Sequence, residues 1–152
     1  MRIALGADER NHLTDFLIED LRRRGHELLL FGPLRPGAAA DDPANLWPRV
    51  AHRVALAVRN GEADEGIVCC WTGTGVSIAA NKVPGIRAAL CLDSQTAKGA
   101  RLWNRANILA LSLRLTSEPL AGEILDAWFE TPLGEDPEDI ACVDYLEEIE
   151  KT

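Results

Sequence analysis

The segment "CCWTGTGVS", residues 69–77, holds the strongest candidate for chemistry in this chain. Cys70 is followed by Trp71 and by the alternating threonines and glycines of residues 72–75. A cysteine at the end of a strand and beside the start of a helix is in a position that favours the thiolate, which can accept a proton. Backbone N–H groups at a helix start attract an anion or the oxygen of an enediolate. The segment therefore predicts a proton-transfer or anion-binding site.

Blander interpretations of the same segment stay open. The glycines could form only a tight turn that lets a helix pack on a sheet, and Cys70 could be a small core residue. We expect Cys69 to point to the opposite side of its strand, into the core. No G-K-[ST] follows and no G-x-G-x-x-G is present, so neither a Walker loop nor a dinucleotide fingerprint is predicted. No Cys/His cluster has ligand spacing, and no metal site is expected.

Alternating strand and helix patterns must position these residues. Five short runs are apolar throughout, which is typical of strands buried on both faces of a parallel sheet: 2–7, 26–32, 66–71, 86–92 and 107–113. Helix-like patterns lie at 12–25, 46–61, 93–104 and 117–131, with a short last helix after 134 expected to dock Ile140, Val143, Leu146 and Ile149. This order predicts a three-layer, Rossmann-like α/β sandwich with a five-stranded parallel sheet, in one domain over 1–152.

Sites in open parallel sheets form beyond the carboxyl ends of the strands. Asp8 follows the first strand and Cys70 the third, and Asn104 joins them if the fourth helix ends near the same edge. As structural alternatives, Asp8 could cap a helix and Asn104 could form a turn. Trp71 and Trp103 could form a pocket wall that stacks on a sugar face, or pack at an oligomer interface.

Composition excludes several classes of protein. The chain has 152 residues, 47% of them hydrophobic, with a net charge of −8 and a pI of about 4.9. Nucleic acids and anionic membranes require a basic surface, so neither is an expected partner. No apolar stretch reaches the length of a membrane span, and the short apolar start does not fit a signal peptide. We expect a cytoplasmic protein.

Several motifs, in order along nearly the whole chain, resemble the ribose-5-phosphate isomerase B and galactose-6-phosphate isomerase family. They include "MRIALGAD", "TGTGVSIAANKVPGIRAALC" and "ARLWNRANILAL". The resemblance implies a homodimer, or a dimer of dimers, with sites at the subunit interface. It also implies interconversion of an aldose and a ketose through a cis-enediolate, without metal or cofactor.

The resemblance assigns roles to individual residues. It makes Cys70 the general base and Thr72 the residue that helps place the reacting atoms, as the catalytic pair. The Gly73–Ser77 turn would supply donors to the enediolate oxygen. The expected substrate-binding residues are Asp8, Arg10, Trp71, Gly73, Thr74, Gly75, Ser77 and Asn104.

Departures from the family pattern affect the expected substrate. Family histidines are replaced by Glu9, Leu92 and Trp103, and no arginine follows Arg114 in the acidic tail, where family members carry phosphate-binding arginines. Arg10 is the obvious substitute, whereas Arg35 and Arg105 are less well placed. We therefore expect a sugar isomerase for which ribose 5-phosphate is a poor substrate. The favoured substrate would be unphosphorylated or a shorter sugar phosphate. A non-catalytic homologue that binds a sugar or a protein partner is the alternative.

Overall fold

A five-stranded parallel sheet forms the centre of the protein, in a computed structural model that describes all residues 1–152. The strands are β1 (Arg2–Ala7), β2 (Glu27–Phe31), β3 (Glu65–Cys70), β4 (Ala88–Leu90) and β5 (Ile108–Ser112). Their order is β2-β1-β3-β5-β4, and every neighbouring pair is parallel. The predicted α/β sandwich with five parallel strands is confirmed.

Helices cover both faces of the sheet, because each parallel crossover must return the chain to the same edge. They are α1 (His12–Arg23), α2 (Trp47–Arg59), α3 (Thr74–Ala80), α4 (Ser94–Asn104), α5 (Glu118–Glu130) and α6 (Pro137–Ile149). Two 3₁₀ turns, Gly32–Leu34 and Pro43–Asn45, interrupt the long connection between β2 and α2. The helix predicted to open at 72–77 is α3.

Two buried clusters fill the space between the three layers. The larger one joins one sheet face to α1, α4 and α5, and includes Leu5, Leu111 and Trp128. The smaller one joins the other face to α2 and α3, and includes Val54 and Val76. Strand residues alternate between the two clusters, which explains why the strands read as continuous apolar runs.

Helix starts are well defined by local chemistry. The Asp93 side chain accepts a hydrogen bond from the N–H of Thr96 at 2.6 Å and so caps the start of α4. Ser117 caps α5 in the same way, with a proline in the first turn. Asn11 and Thr14 form a reciprocal capping box at α1.

The last helix differs from its prediction. Of the four apolar residues expected to dock, only Val143 is buried, and Leu146 and Ile149 are 41% and 51% exposed. The reason is position: α6 packs against α4 at the periphery and has no sheet face of its own to cover. No helix of the protein has the length and apolar character needed to span a bilayer.

Candidate active site

Asp8 and Cys70 leave the sheet side by side at its carboxyl edge. β1 and β3 are adjacent and parallel, with Ala7 beside Cys69, so the following residues emerge next to each other. Neighbouring strands lie about 4.8 Å apart. The chain turns to opposite sides of the sheet after β1 and β3, and this divergence opens the crevice in which doubly wound folds bind ligands.

The two neighbouring cysteines face opposite layers. Cys69 belongs to the larger buried cluster and Cys70 to the smaller one, on the side of α2 and α3. Burial raises the pKa of the Cys69 thiol far above its ordinary value, and the nearby Cys70 and Asp8 add to this effect. Cys70 remains 6% exposed at the end of its strand. The structure therefore makes Cys69 a core residue, as expected, and places Cys70, which is also buried, at the end of β3 where the chain leaves the sheet.

The turn after Cys70 presents backbone donors to the crevice. Gly73 has a φ of 77°, in the left-handed region that favours glycine. The N–H groups of Trp71, Thr72 and Gly73 donate to no acceptor within the protein. The first turn of α3 adds N–H groups that have no intrahelical acceptor. The side chains of Thr72 and Thr74 meet here, with 2.7 Å between their Oγ1 atoms.

Hydrogen bonds from the last residue of β5 and the two residues after it hold the start of this turn in place. Leu113 N–H donates to the carbonyl of Cys70 at 2.9 Å. Arg114 N–H and the Ser112 hydroxyl both donate to the carbonyl of Trp71, each at 2.9 Å. Because the carbonyls are engaged on one side, the N–H groups face the other side, toward the crevice. The Trp71 ring itself is 58% exposed.

Ser77 does not add a free donor to this turn. Its N–H donates to the Gly73 carbonyl at 3.2 Å, and its hydroxyl donates to the Ala88 carbonyl of β4 at 3.4 Å. The side chain thus faces the edge strand. Among the predicted substrate-binding residues of the turn, Gly75 lies against Trp47, whereas Ser77 fixes α3 against β4.

Trp47 is a candidate site residue that sequence reasoning missed. A Cβ placed on Gly75 would lie 3.1–3.3 Å from ring atoms of Trp47, so the indole packs directly on the turn. Trp47 and Asp8 also line a pocket of about 470 Å³ with residues 40–43, 45 and 46. Its position in the sequence could have identified it, because Trp47 is the first residue of α2 and the start of that helix must lie at the carboxyl edge of the sheet.

The Asp8 side chain is half-buried where β1 ends. Its Oδ1 atom is buried and has no hydrogen-bond partner. Desolvation by burial raises the pKa of Asp8 above its ordinary value, and the Glu9 carboxylate adds to the effect. A buried acceptor without a partner is costly, so a substrate hydroxyl donating to it would be favourable.

Three arginines lie in loops at this edge, and two of them are engaged. Arg10 forms an ion pair with Asp15 at 2.7 Å, and Arg35 forms one with Asp42 at 2.7 Å. Arg114 is exposed, and its guanidinium takes part in no ion pair or hydrogen bond within the protein. Arg114 is therefore a second site candidate that sequence reasoning missed.

Asn104 is not close to Cys70 within one protomer. The fourth helix runs back along the sheet and ends at the opposite, amino edge, as a crossover between parallel strands requires. Asn107, three residues on, bonds to the Arg87 backbone just before β4. Cys70 pairs with Ser112 at the end of β5. The start of β5, at Ile108, lies four residues earlier, or about 13 Å back along the strand. Asn104 and the 61% exposed Trp103 instead lie beside the open edge of the sheet.

Comparison with known sequences gives a consistent set of relatives. The family model described as Ribose/Galactose Isomerase matches residues 3–144. A ribose-5-P isomerase B of Listeria innocua is 37% identical over 152 residues, covering 99% of this chain and 98% of the relative. A D-erythrulose-4-phosphate isomerase of Pectobacterium atrosepticum is 35% identical over 158 residues, with coverage of 99% and 98%.

Solved structures give the same grouping. A ribose-5-phosphate isomerase B of Clostridium thermocellum superposes with a TM-score of 0.88 at 39% identity, covering 99% of this chain and 98% of that one. A Mycoplasma genitalium ribose-5-phosphate isomerase B with bound ribulose 5-phosphate gives a TM-score of 0.85 at 31% identity, covering 99% and 96%.

Proposed function

The chain belongs to the ribose/galactose isomerase family, and we propose that it is an aldose–ketose isomerase for a short, open-chain sugar phosphate. The observation that carries the proposal is the juxtaposition of Cys70 and Asp8 beside a turn whose N–H groups have no acceptor in the protein. This arrangement supplies a base, an acceptor for a substrate hydroxyl and donors for a developing oxyanion, which are the groups that a cis-enediolate mechanism needs.

Cys70 acts as the base that moves the proton. Its thiolate removes the proton from the carbon next to the carbonyl, and the C–H electron pair moves to form the C=C bond of the enediolate. The carbonyl electrons move onto oxygen, where N–H groups of the 71–75 turn stabilise the charge. Cys70 then returns the proton to the former carbonyl carbon. Thr72, held by Thr74, positions the two oxygens between which the hydroxyl proton moves.

The substrate has four carbons in this proposal. A ribose 5-phosphate ring must be opened before isomerisation, and Glu9, Leu92 and Trp103 stand where family members have histidines. A four-carbon aldose phosphorylated on O4 has no hydroxyl left to close a five-membered ring, so it needs no ring-opening acid. The relative named D-erythrulose-4-phosphate isomerase supports a substrate of this size in the family.

Arg114, with Arg10, binds the phosphate group in this proposal. Arg114 is anchored through its backbone to Trp71 while its guanidinium is free, and Arg10 lies just after Asp8. The Arg10–Asp15 pair is exposed on both sides and worth little, so it can open for a phosphate. Charge-assisted hydrogen bonds contribute about 1.5–3 kcal/mol each. Loss of both arginines should therefore weaken phosphate binding by roughly two to four powers of ten.

The second half of the site comes from another copy of the chain. Asn104 and Trp103 cannot reach Cys70 within a protomer, yet both lie at the open sheet edge, where another protomer can pack. We place Asn104 of one protomer beside Cys70 of its partner, in a homodimer or a dimer of dimers. A sedimentation experiment that shows only a species near 16.6 kDa at micromolar concentration would contradict this arrangement.

A substrate panel tests the proposed activity. We expect kcat/KM for D-erythrulose 4-phosphate to exceed that for ribose 5-phosphate by about tenfold or more, with exchange of the substrate α-hydrogen into solvent. An efficient rate on ribose 5-phosphate would refute the specificity. Absence of exchange with every sugar phosphate would favour the non-catalytic alternative, which the isomerase names of the relatives do not support.

Mixed dimers test the shared site. Cys70→Ala and Asn104→Ala should each be nearly inactive as homodimers. Co-expressed with different affinity tags and purified over both, they should form mixed dimers with about half of the wild-type activity, because one of the two sites then has no substitution. Mixed dimers as inactive as their parents would show that Cys70 and Asn104 of one chain act at the same site.

A further inference from the structure

A buried charged cluster ties β3, α4 and α5 together at the amino edge of the sheet. The Arg101 guanidinium lies 2.7 Å from the Glu65 carboxylate, and the Trp128 indole N–H donates to the same carboxylate at 2.6 Å. Arg101 also lies over the Trp128 ring, 4.9 Å from its centre. Arg101 is 8% exposed and Trp128 is fully buried. Removing one member of such a cluster leaves a buried charge without its partner.

This cluster fixes the end of α4. Arg101 donates to the Ala106 carbonyl at 2.7 Å, which bridges the last turn of α4 to the segment before β5. Between them lies Arg105, a non-glycine residue with a φ of 47°, whose guanidinium donates to the Gly134 carbonyl at 2.6 Å. Asn104 comes immediately before Arg105. The hydrogen bonds of Arg101 and Arg105 therefore fix the position of Asn104, and its own side chain does not.

The cluster could also affect Cys70 of its own protomer, because Glu65 and Cys70 are the two ends of β3. Glu65 is the first residue of that strand and Cys70 the last, about 16 Å apart. β3 is paired with β1 and β5 along its length, so the sheet holds Cys70 independently of Glu65. The end of α4 has no such ladder. Loss of the cluster should therefore move Asn104 more than it moves Cys70.

We infer that Glu65, Arg101 and Trp128 are positioning residues that set the angle at which α4 presents Asn104 to the active site of the partner protomer. The inference rests on the proposed shared site. It predicts an effect in trans: a defect in the cluster of one protomer impairs the site that contains the other protomer's Cys70, and spares its own.

The main test uses Glu65→Gln, which keeps the size of the side chain and an acceptor for Trp128 but removes the charge. We expect a fall in kcat/KM of about tenfold or more, because a displacement near 1 Å in a catalytic group can cost up to a hundredfold. Trp128→Phe keeps an aromatic ring at this position but removes the N–H together with part of the buried indole, and it should lower kcat/KM in the same direction if Glu65→Gln fails to fold. Asp126→Asn is the control: Asp126 lies on α5 with Trp128, its 56% exposed carboxylate pairs with Arg24 at the end of α1, and the substitution should leave kcat/KM unchanged.

Mixed dimers purified over two different tags then show whether the cluster acts on the partner protomer's site, through α4, or on Cys70 of its own protomer, through β3. Glu65→Gln combined with Cys70→Ala should recover about half of the wild-type activity, because one site then has an intact Cys70 and an intact partner α4. Glu65→Gln combined with Asn104→Ala should not exceed the low activity of the Glu65→Gln homodimer. The reverse pattern would overturn the inference and assign the effect to β3, and wild-type activity in Glu65→Gln would also overturn it. If Cys70→Ala and Asn104→Ala fail to complement each other, the shared site itself is wrong.

Discussion

Gly73→Ala is the most direct test of the turn that follows Cys70. Gly73 has a φ of 77°, and a Cβ at this position would lie 2.6 Å from Leu90 Cδ1. It would also lie 2.9 Å from the carbonyl carbon of Leu111 and 3.0 Å from its oxygen. Leu90 can change rotamer, but the Leu111 backbone belongs to a paired strand and cannot move alone. The turn itself must therefore shift.

The cost has two separable parts. A left-handed conformation costs about 1–2 kcal/mol for a residue with a Cβ. Overpacking against a rigid neighbour adds about 1–3 kcal/mol. Gly61 provides a matched control, because it has a φ of 73° and nothing within 4 Å of its Cβ position. Gly61→Ala should therefore show only the first part, so the two variants should differ by about 1–3 kcal/mol in the free energy of unfolding.

Urea denaturation at one protomer concentration measures this difference, and steady-state kinetics measures the effect on the site. We expect Gly73→Ala to lower kcat by about a hundredfold, the usual effect of losing an oxyanion donor, while Gly61→Ala retains wild-type kcat. Equal stability of the two variants would show that the turn relaxes freely. Wild-type kcat in Gly73→Ala would refute its role in stabilising the enediolate.

Other predictions test the base, the buried carboxylate and the absence of a metal. Cys70→Ala should abolish turnover without unfolding, whereas Cys69→Ala should lower stability by about 1 kcal/mol and retain activity; full activity in Cys70→Ala would reject it as the base. The pKa of Asp8 is higher in the folded protein than the ordinary value of 3.8. Ionisation of Asp8 therefore lowers the free energy of unfolding as the pH rises from 3.8, and the loss is complete above the pKa of the folded protein. Asp8→Asn should therefore raise the free energy of unfolding at pH 7, and the gain should vanish as the pH falls toward 3.8; a gain that persists there would contradict the cause. Activity should survive EDTA, and restoration by a divalent ion after a loss would contradict cofactor-free chemistry.

Much of the fold follows from local sequence patterns. Continuous apolar runs indicated all five strands, and Asp93 and Ser117 marked helix starts because capping involves only neighbouring residues. The order of strands and helices was enough to place Asp8 and Cys70 at the same edge, since parallel strands end together. The last helix was predicted less well, because its periodicity does not say what surface it meets.

The remaining features of the site depend on contacts between distant segments. The sequence alone identified Cys70 and its glycine turn, but it did not show that Trp47 packs on Gly75 or that Arg10 pairs with Asp15. It also left open the edge at which α4 ends, and the structure places Asn104 at the far one. Local periodicity and capping fix where elements begin and end. Which side chains meet is decided by how the elements pack, because those contacts join residues far apart in the chain.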